Sequence, residues 1–288
     1  MPWGSALELA SEACRATSVG GQVFGPARRG VARGIDMNVQ TAPSYEDLFG
    51  QRGSAYDRAM LAYPEARAQE FAQALAHAAL SPGMVVADVP AGGGYLRRYL
   101  PEGCGWVGHE PCADFTNHRT GAQESGMPLL PLPFADSAAD VAISIAGVHH
   151  LADKRPLFRD MRRIVRPGGR FVLSDVATDT PVARFLDGFV GDNNSTGHEG
   201  VFLDAHTPGE LAEAGWDVLS HRLEAFHWVF ADEDAMVAFC RGLFDICKAG
   251  DAAIARALHD GPGVEQLPDG RTGLRWSLMT IVARRPDA

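Results

Sequence analysis

The sequence predicts an α/β fold with a doubly wound, mostly parallel sheet. Three observations carry that expectation. Short apolar runs alternate with helix-period segments along the middle of the chain, as a parallel sheet requires. The first run, Val85-Val86-Ala87-Asp88, ends in an acid and enters the turn Val89-Pro90-Ala91-Gly92-Gly93-Gly94. Twenty-two residues after Asp88, a second run, Trp106-Val107-Gly108-His109, ends in Glu110. This is the pattern of a strand that delivers the chain onto a helix N-terminus beside a nucleotide. Glycine in such a turn lets backbone approach a ligand that a Cβ would push away. An acid at the tip of the second strand can accept from both ribose hydroxyls.

Each element follows in order. Residues 1–36 mix Gly20, Gly21, Gly25, Gly30 and Gly34 with Arg28, Arg29 and Arg33 and show little periodicity, so they read as a mostly disordered N-terminal extension. Residues 37–288 form the domain. Within it, 37–80 turn helical: Tyr45, Leu48 and Phe49 share a face, Tyr56, Met60 and Tyr63 recur near helical spacing, and Pro64 interrupts. These are expected lid helices, and Tyr56 is a candidate substrate contact. Strands are expected near 84–89, 106–110, 127–130, 140–145, 170–175, 217–230 and 275–284. Helices are expected near 93–100, 112–120, 153–165 and 208–214. Two stretches exceed a plain alternation. Residues 177–207 hold a polar, glycine-punctuated run from Asp192 to Gly200, and 231–272 hold an apolar-periodic helix with a second helix behind it. Long connections are usually functional, so both are read as a small helical substrate cap, with Asn194 and His198 as candidate contacts.

Two ligands suit the first turn, and charge separates them. A dinucleotide site wants G-x-G-x-x-G and a pyrophosphate on the helix. Asp88 would repel that pyrophosphate and attract the ammonium of S-adenosylmethionine. From Asp88 through Gly94 the chain resembles class I S-adenosylmethionine-dependent methyltransferases, the small-molecule, type 11-like group, with Pro90 in the place of that motif's first glycine. The likeness continues through Leu132-Pro133-Phe134-Ala135-Asp136, through Ala146-Gly147-Val148-His149-His150-Leu151 and through Arg166-Pro167-Gly168-Gly169. It covers roughly residues 45–180.

The resemblance implies a Rossmann-like seven-stranded sheet of order 3-2-1-4-5-7-6 with the seventh strand antiparallel. It implies S-adenosylmethionine as cofactor. Asp88 would sit beside the methionyl ammonium, Pro90, Ala91, Gly92 and Gly94 would present backbone, and Glu110 would hold the ribose. Pro111, Leu132, Pro133 and Phe134 would surround the adenine, with Ala146 and Gly147 across the site. His149 and His150 follow the fourth strand, and a histidine there has a suitable pKa for a base. They are the candidate catalytic residues.

Composition excludes several classes. The net charge is −10 with no basic stripe, which argues against a nucleic-acid partner. No apolar run approaches the ~20 residues of a membrane span. Cys14, Cys104, Cys112, Cys240 and Cys247 are odd in number and form no C-x-x-C pair, so the expectation is a cytoplasmic protein without disulfides. No H-x-x-x-H or H-x-H spacing points to a metal. The expected activity is methyl transfer to an oxygen, nitrogen or carbon atom of a small molecule. The alternative is a domain that binds the cofactor without methylating. Oligomeric state is open.

Overall fold

A computed structural model describes residues 45–115 and 127–287. The proposed disordered extension, 1–36, and the second half of the expected helix 112–120 lie outside the described residues.

The described chain begins with the helices α1 (Tyr45–Ala62) and α2 (Ala68–Ala78), broken at Pro64 as expected. Strand β1 (Val85–Asp88) follows, then a tight 3-10 turn over Tyr95–Tyr99, then β2 (Gly105–Gly108). Strand β3 (Ala139–Ile145) leads into a 3-10 turn over Val148–His150, α3 (Arg155–Ile164) and β4 (Val165–Asp175). The helical stretch α4 (Pro181–Phe185), a π turn (Leu186–Val190) and α5 (Gly191–Asn193) come next. The chain then forms α6 (Thr207–Glu213), β5 (Asp217–Phe230), α7 (Glu233–Leu243), α8 (Asp251–Asp260), β6 (Val264–Gln266) and β7 (Thr272–Arg284).

The sheet runs β2-β1-β3-β4-β7-β5, with β6 hydrogen-bonded to β7. The pairs of β1 with β2 and β3, and of β3 with β4, are parallel; β7 is antiparallel to both β4 and β5. This is the expected fold with two changes. Residues 127–130 form no strand: Leu129 is buried among apolar side chains, and the Pro128 carbonyl accepts from His109 Nε2 at 2.9 Å. The seventh strand is instead β6, which lies inside the 231–272 segment behind the two expected helices. It returns on β7 as a hairpin, with Gln266 opposite Thr272.

Local sequence explains the elements that aim the site. In α3, Leu157, Phe158, Met161 and Ile164 fall on one face and are all buried, and Pro156 occupies the first turn, where its missing N–H costs nothing. Strand β5 alternates, so Phe226, Trp228 and Phe230 share a buried face beside Leu274, Trp276 and Leu278 of β7. Both strands are long, and their Phe226–Phe230 and Thr272–Leu278 halves carry these aromatic side chains to the cap and the first two helices.

Candidate functional site

The loop after β1 is shaped by its glycines. Gly92 (φ +48°) and Gly94 (φ +72°) lie in the left-handed region, where a side chain is strained. The Gly92 N–H donates to Glu110 Oε2 at 2.8 Å, which ties the β1 loop to the tip of β2. Glu110 Oε1 accepts from the Cys112 N–H at 3.0 Å, and the Tyr45 hydroxyl of α1 donates to Oε2 at 3.0 Å. Burial pushes the Glu110 carboxyl above its usual range, and these donors hold it back in part. Asp88 accepts from the Trp106 indole N–H at 3.2 Å. Pro90 packs against the loop after β3: a Cβ on Gly147 would come within 2.5 Å of the Pro90 ring. Gly147 therefore lets the β1 and β3 loops touch.

These loops wall a cavity of about 490 Å³. Asp88, Pro90, Ala91, Gly92, Ala146 and Gly147 line it from the sheet, and Tyr45, Phe49 and Tyr56 line it from α1.

A second cavity of about 500 Å³ shares Phe49, Tyr56, Arg67 and Ala146 with the first. His149, His150 and His198 line it. The buried Asp175, at the tip of β4, accepts from His149 Nδ1 at 2.6 Å and from the Val176 N–H at 2.7 Å through Oδ1. Its Oδ2 accepts from the Val148 and His149 N–H groups at 2.7 and 3.2 Å. Burial would raise this carboxyl, but His149 and the amides outweigh it and hold Asp175 below the usual range. His198 Nδ1 meets Asp187 Oδ1 of the π turn at 2.7 Å. Burial, then the field of His149, lowers His198 to about 4, and the same two causes hold His150 well below 6.5. Both rings are therefore uncharged at neutral pH. Across the cavity, Trp228 and Trp276 stack at 4.1 Å, and Phe244 lies nearly parallel to both at 6.1 Å.

Residues 87–173 match the family model of a methyltransferase domain. An uncharacterized methyltransferase of Mycolicibacterium vanbaalenii is 35% identical over 102 residues, 32% of this chain and 39% of that protein. The chain thus spans about two fifths of the length of that relative. Among solved structures, an N-methyltransferase of Haemonchus contortus, held with phosphomonomethylethanolamine and S-adenosylhomocysteine, superposes with a TM-score of 0.56 at 11% identity. That likeness covers 85% of this chain and 60% of that one. The 4+2 cyclase SpnF superposes with a TM-score of 0.52 at 17% identity, over 86% and 98% of the two chains. At such identities the structures speak for the fold. Residues 87–173 are thus similar to a methyltransferase domain, and the described chain has the fold of solved methyltransferases. No helix among the described residues is long and apolar enough to cross a membrane.

Within this fold the expected cofactor residues divide. Asp88, Pro90, Ala91, Gly92, Ala146 and Gly147 come together in one wall. Gly94 sets the turn, and Glu110 stands behind it, bound to the Gly92 N–H. Pro111, Leu132, Pro133 and Phe134 are not among the described residues that line this cavity. The Leu132 N–H donates to Asp160 at 2.5 Å, and Arg163 donates to the Leu132 and Phe134 carbonyls, so this segment is tied to α3. Phe134 instead meets the His109 ring edge-on.

The acceptor-side expectations divide too. Tyr56 lines both cavities, and its hydroxyl accepts from Arg67. His198 lines the second cavity. Asn194 does not: it is fully buried, its Oδ1 accepts from the Thr196 and Gly197 N–H groups, and it builds the turn that precedes His198. The three histidines bring their nitrogens within 4.8 Å of one another, a juxtaposition that no sequence spacing foretold. Sequence reasoning also missed Asp175, Asp187, Arg52 and Arg67. Asp175 had a usable signal, because it is a third acid at a strand tip, like Asp88 and Glu110. The others carried none.

Proposed function

We propose that this protein transfers a methyl group from S-adenosylmethionine to a small-molecule acceptor, with His149 as the base. One observation supports the reading: the two cavities share the Ala146 wall, and His149, held from behind by the buried Asp175, lines the second. The donor set suits the cofactor. Asp88 offers an anion to the ammonium, and the open glycine backbone admits the methionyl chain. Glu110 Oε1 retains accepting capacity for a ribose hydroxyl, and Tyr45 is a displaceable donor on Oε2. Bound S-adenosylmethionine would supply an electrophilic methyl group.

The chain's own residues do the rest. Asp175 takes the Nδ1–H of His149 and leaves Nε2 to accept the acceptor's proton. The aromatic walls and the α1 side chains exclude water from the junction. The 177–207 and 231–272 segments act as the cap, through Leu186 and His198 from one and Leu243 and Phe244 from the other. The test has two parts. Calorimetry should find micromolar S-adenosylhomocysteine binding that Glu110→Ala weakens at least tenfold (~1.4 kcal/mol). Labelled methyl transfer to an acceptor panel should then be lost in His149→Asn while cofactor binding stays. Absence of binding overturns the reading. Binding without turnover on any acceptor favours a cofactor-bound role other than methylation, the reading that the likeness to a cyclase supports.

A further inference from the structure

The two arginines on the second cavity differ in one respect. Arg67 is matched: its guanidinium donates to Glu70 at 2.9 and 2.5 Å and to the Tyr56 hydroxyl, and Glu70 also accepts from the Trp228 indole. Arg52 is not. It is only 5% exposed, lines the cavity, and among the described residues has no hydrogen bond or ion pair. Its Nε is a buried donor with nothing to donate to. Asp245, whose field reaches it, accepts from Ser195 instead. Among the described residues no carboxylate lines the cavity. A buried guanidinium without a counter-ion costs several kcal/mol, so a group kept this way is waiting for an anion. The shelf opposite, Trp228, Trp276 and Phe244, is a set of nearly parallel rings.

We propose that the second cavity takes a planar aromatic acid, with its anionic group on Arg52 and its ring on the Trp228–Trp276 shelf. This deepens the methyltransferase reading and rests on it. The acid would complete the hydrogen bonding of Arg52. His198 and His150, uncharged, would accept hydrogen bonds from a ring hydroxyl rather than compete for the acid. A guanidinium beside three imidazoles also opposes a metal cation there.

The probe pair is 3-hydroxy-2-naphthoate and its carboxamide, which differ in charge and hardly in shape. Calorimetry with S-adenosylhomocysteine present should show the acid bound at least tenfold more tightly than the amide. Arg52→Met should erase that preference, leave S-adenosylhomocysteine affinity unchanged, and give an apo Tm equal to or above the wild type's, because an unmatched buried charge has gone. Arg52→Lys should retain part of the preference. Equal binding of acid and amide, or binding of neither, overturns the proposal. So does a Tm well below wild type in Arg52→Met, which would make Arg52 a structural cation. Stoichiometric zinc uptake abolished by His198→Ala would assign the cavity to a metal instead. Failure of S-adenosylhomocysteine itself to bind would strike the methyltransferase reading, a separate outcome.

Discussion

The two cavities are built by opposite means. On its sheet side the first is built by a glycine turn, a strand-end acid, and loops that touch at Pro90 and Gly147. Its parts are contiguous or fall at the tips of adjacent strands, so their order in the chain announces them. The second is made of side chains from six separated stretches: Arg52 and Tyr56, Arg67, His149 and His150, Leu186 and His198, Trp228 with Leu243 and Phe244, and Trp276. The lesson is that a wall of consecutive turn residues is announced by the sequence, whereas a wall of side chains from distant stretches is assembled only by the fold.

That contrast can be broken by substitution. The largest effect is expected at Gly92. Gly92→Arg imposes a side chain at φ +48° where a Cβ would already touch Tyr95 at 3.4 Å, and should abolish S-adenosylhomocysteine binding in calorimetry. If native affinity survives, the first cavity does not work through backbone. Next is Asp175→Asn. It removes the anion that orients His149 and should cut turnover of any accepted substrate by roughly a hundredfold or more. Cofactor affinity should stay within about twofold, since Asp175 does not line the first cavity; a parallel loss of cofactor binding would merge the two sites.

The matched arginine comes third. Glu70→Ala strands Arg67, whose charge Glu70 and Tyr56 hold firm against burial. Denaturant unfolding should show a loss of about 3 to 5 kcal/mol, against little or none for Arg52→Met.

A smaller effect should follow pH. In the unfolded chain His198 and His150 protonate near 6.5, but the folded protein keeps both uncharged, His198 down to about 4. Between those values the unfolded state binds protons that the folded state does not, so stability falls as pH drops. Each histidine contributes at most about 1.4 kcal/mol per pH unit. His198→Gln should flatten the slope of Tm against pH between 6.5 and 4; an unchanged slope would mean that His198 is charged in the folded protein. The smallest effect is Tyr45→Phe, which removes one donor from Glu110 and should cost about 1 kcal/mol of stability by denaturant unfolding.

Several elements were legible because local physics decides them. The strand near 217–230 and the helix near 153–165 declare their periods, and the glycine turn and the acid tips declare the first cavity. The missing strand at 127–130 was not legible. Pro128 and Pro131 flank Leu129 and Leu130, the Pro128 carbonyl accepts from the His109 ring, and just beyond them the Leu132 N–H donates to Asp160 of α3. Nor was β6, whose three residues between glycine turns become a strand only because β7 offers an edge. Asn194 looked like a contact because it is polar in a long loop, yet its amide is spent on its own turn.

By itself, then, the sequence determined the α/β alternation, the cofactor loop and the Glu110 tip, because backbone turns and strand ends are properties of a few consecutive residues. It also placed two histidines after β3. Only the tertiary structure decided that Asp175 would hold one of them, that His198 would arrive from the 177–207 segment, and that Arg67 would find Glu70 while Arg52 would find no partner among the described residues. Those are meetings between residues far apart in the chain. Burial makes each one costly to leave unmatched, and nothing local in the sequence records which of them is matched.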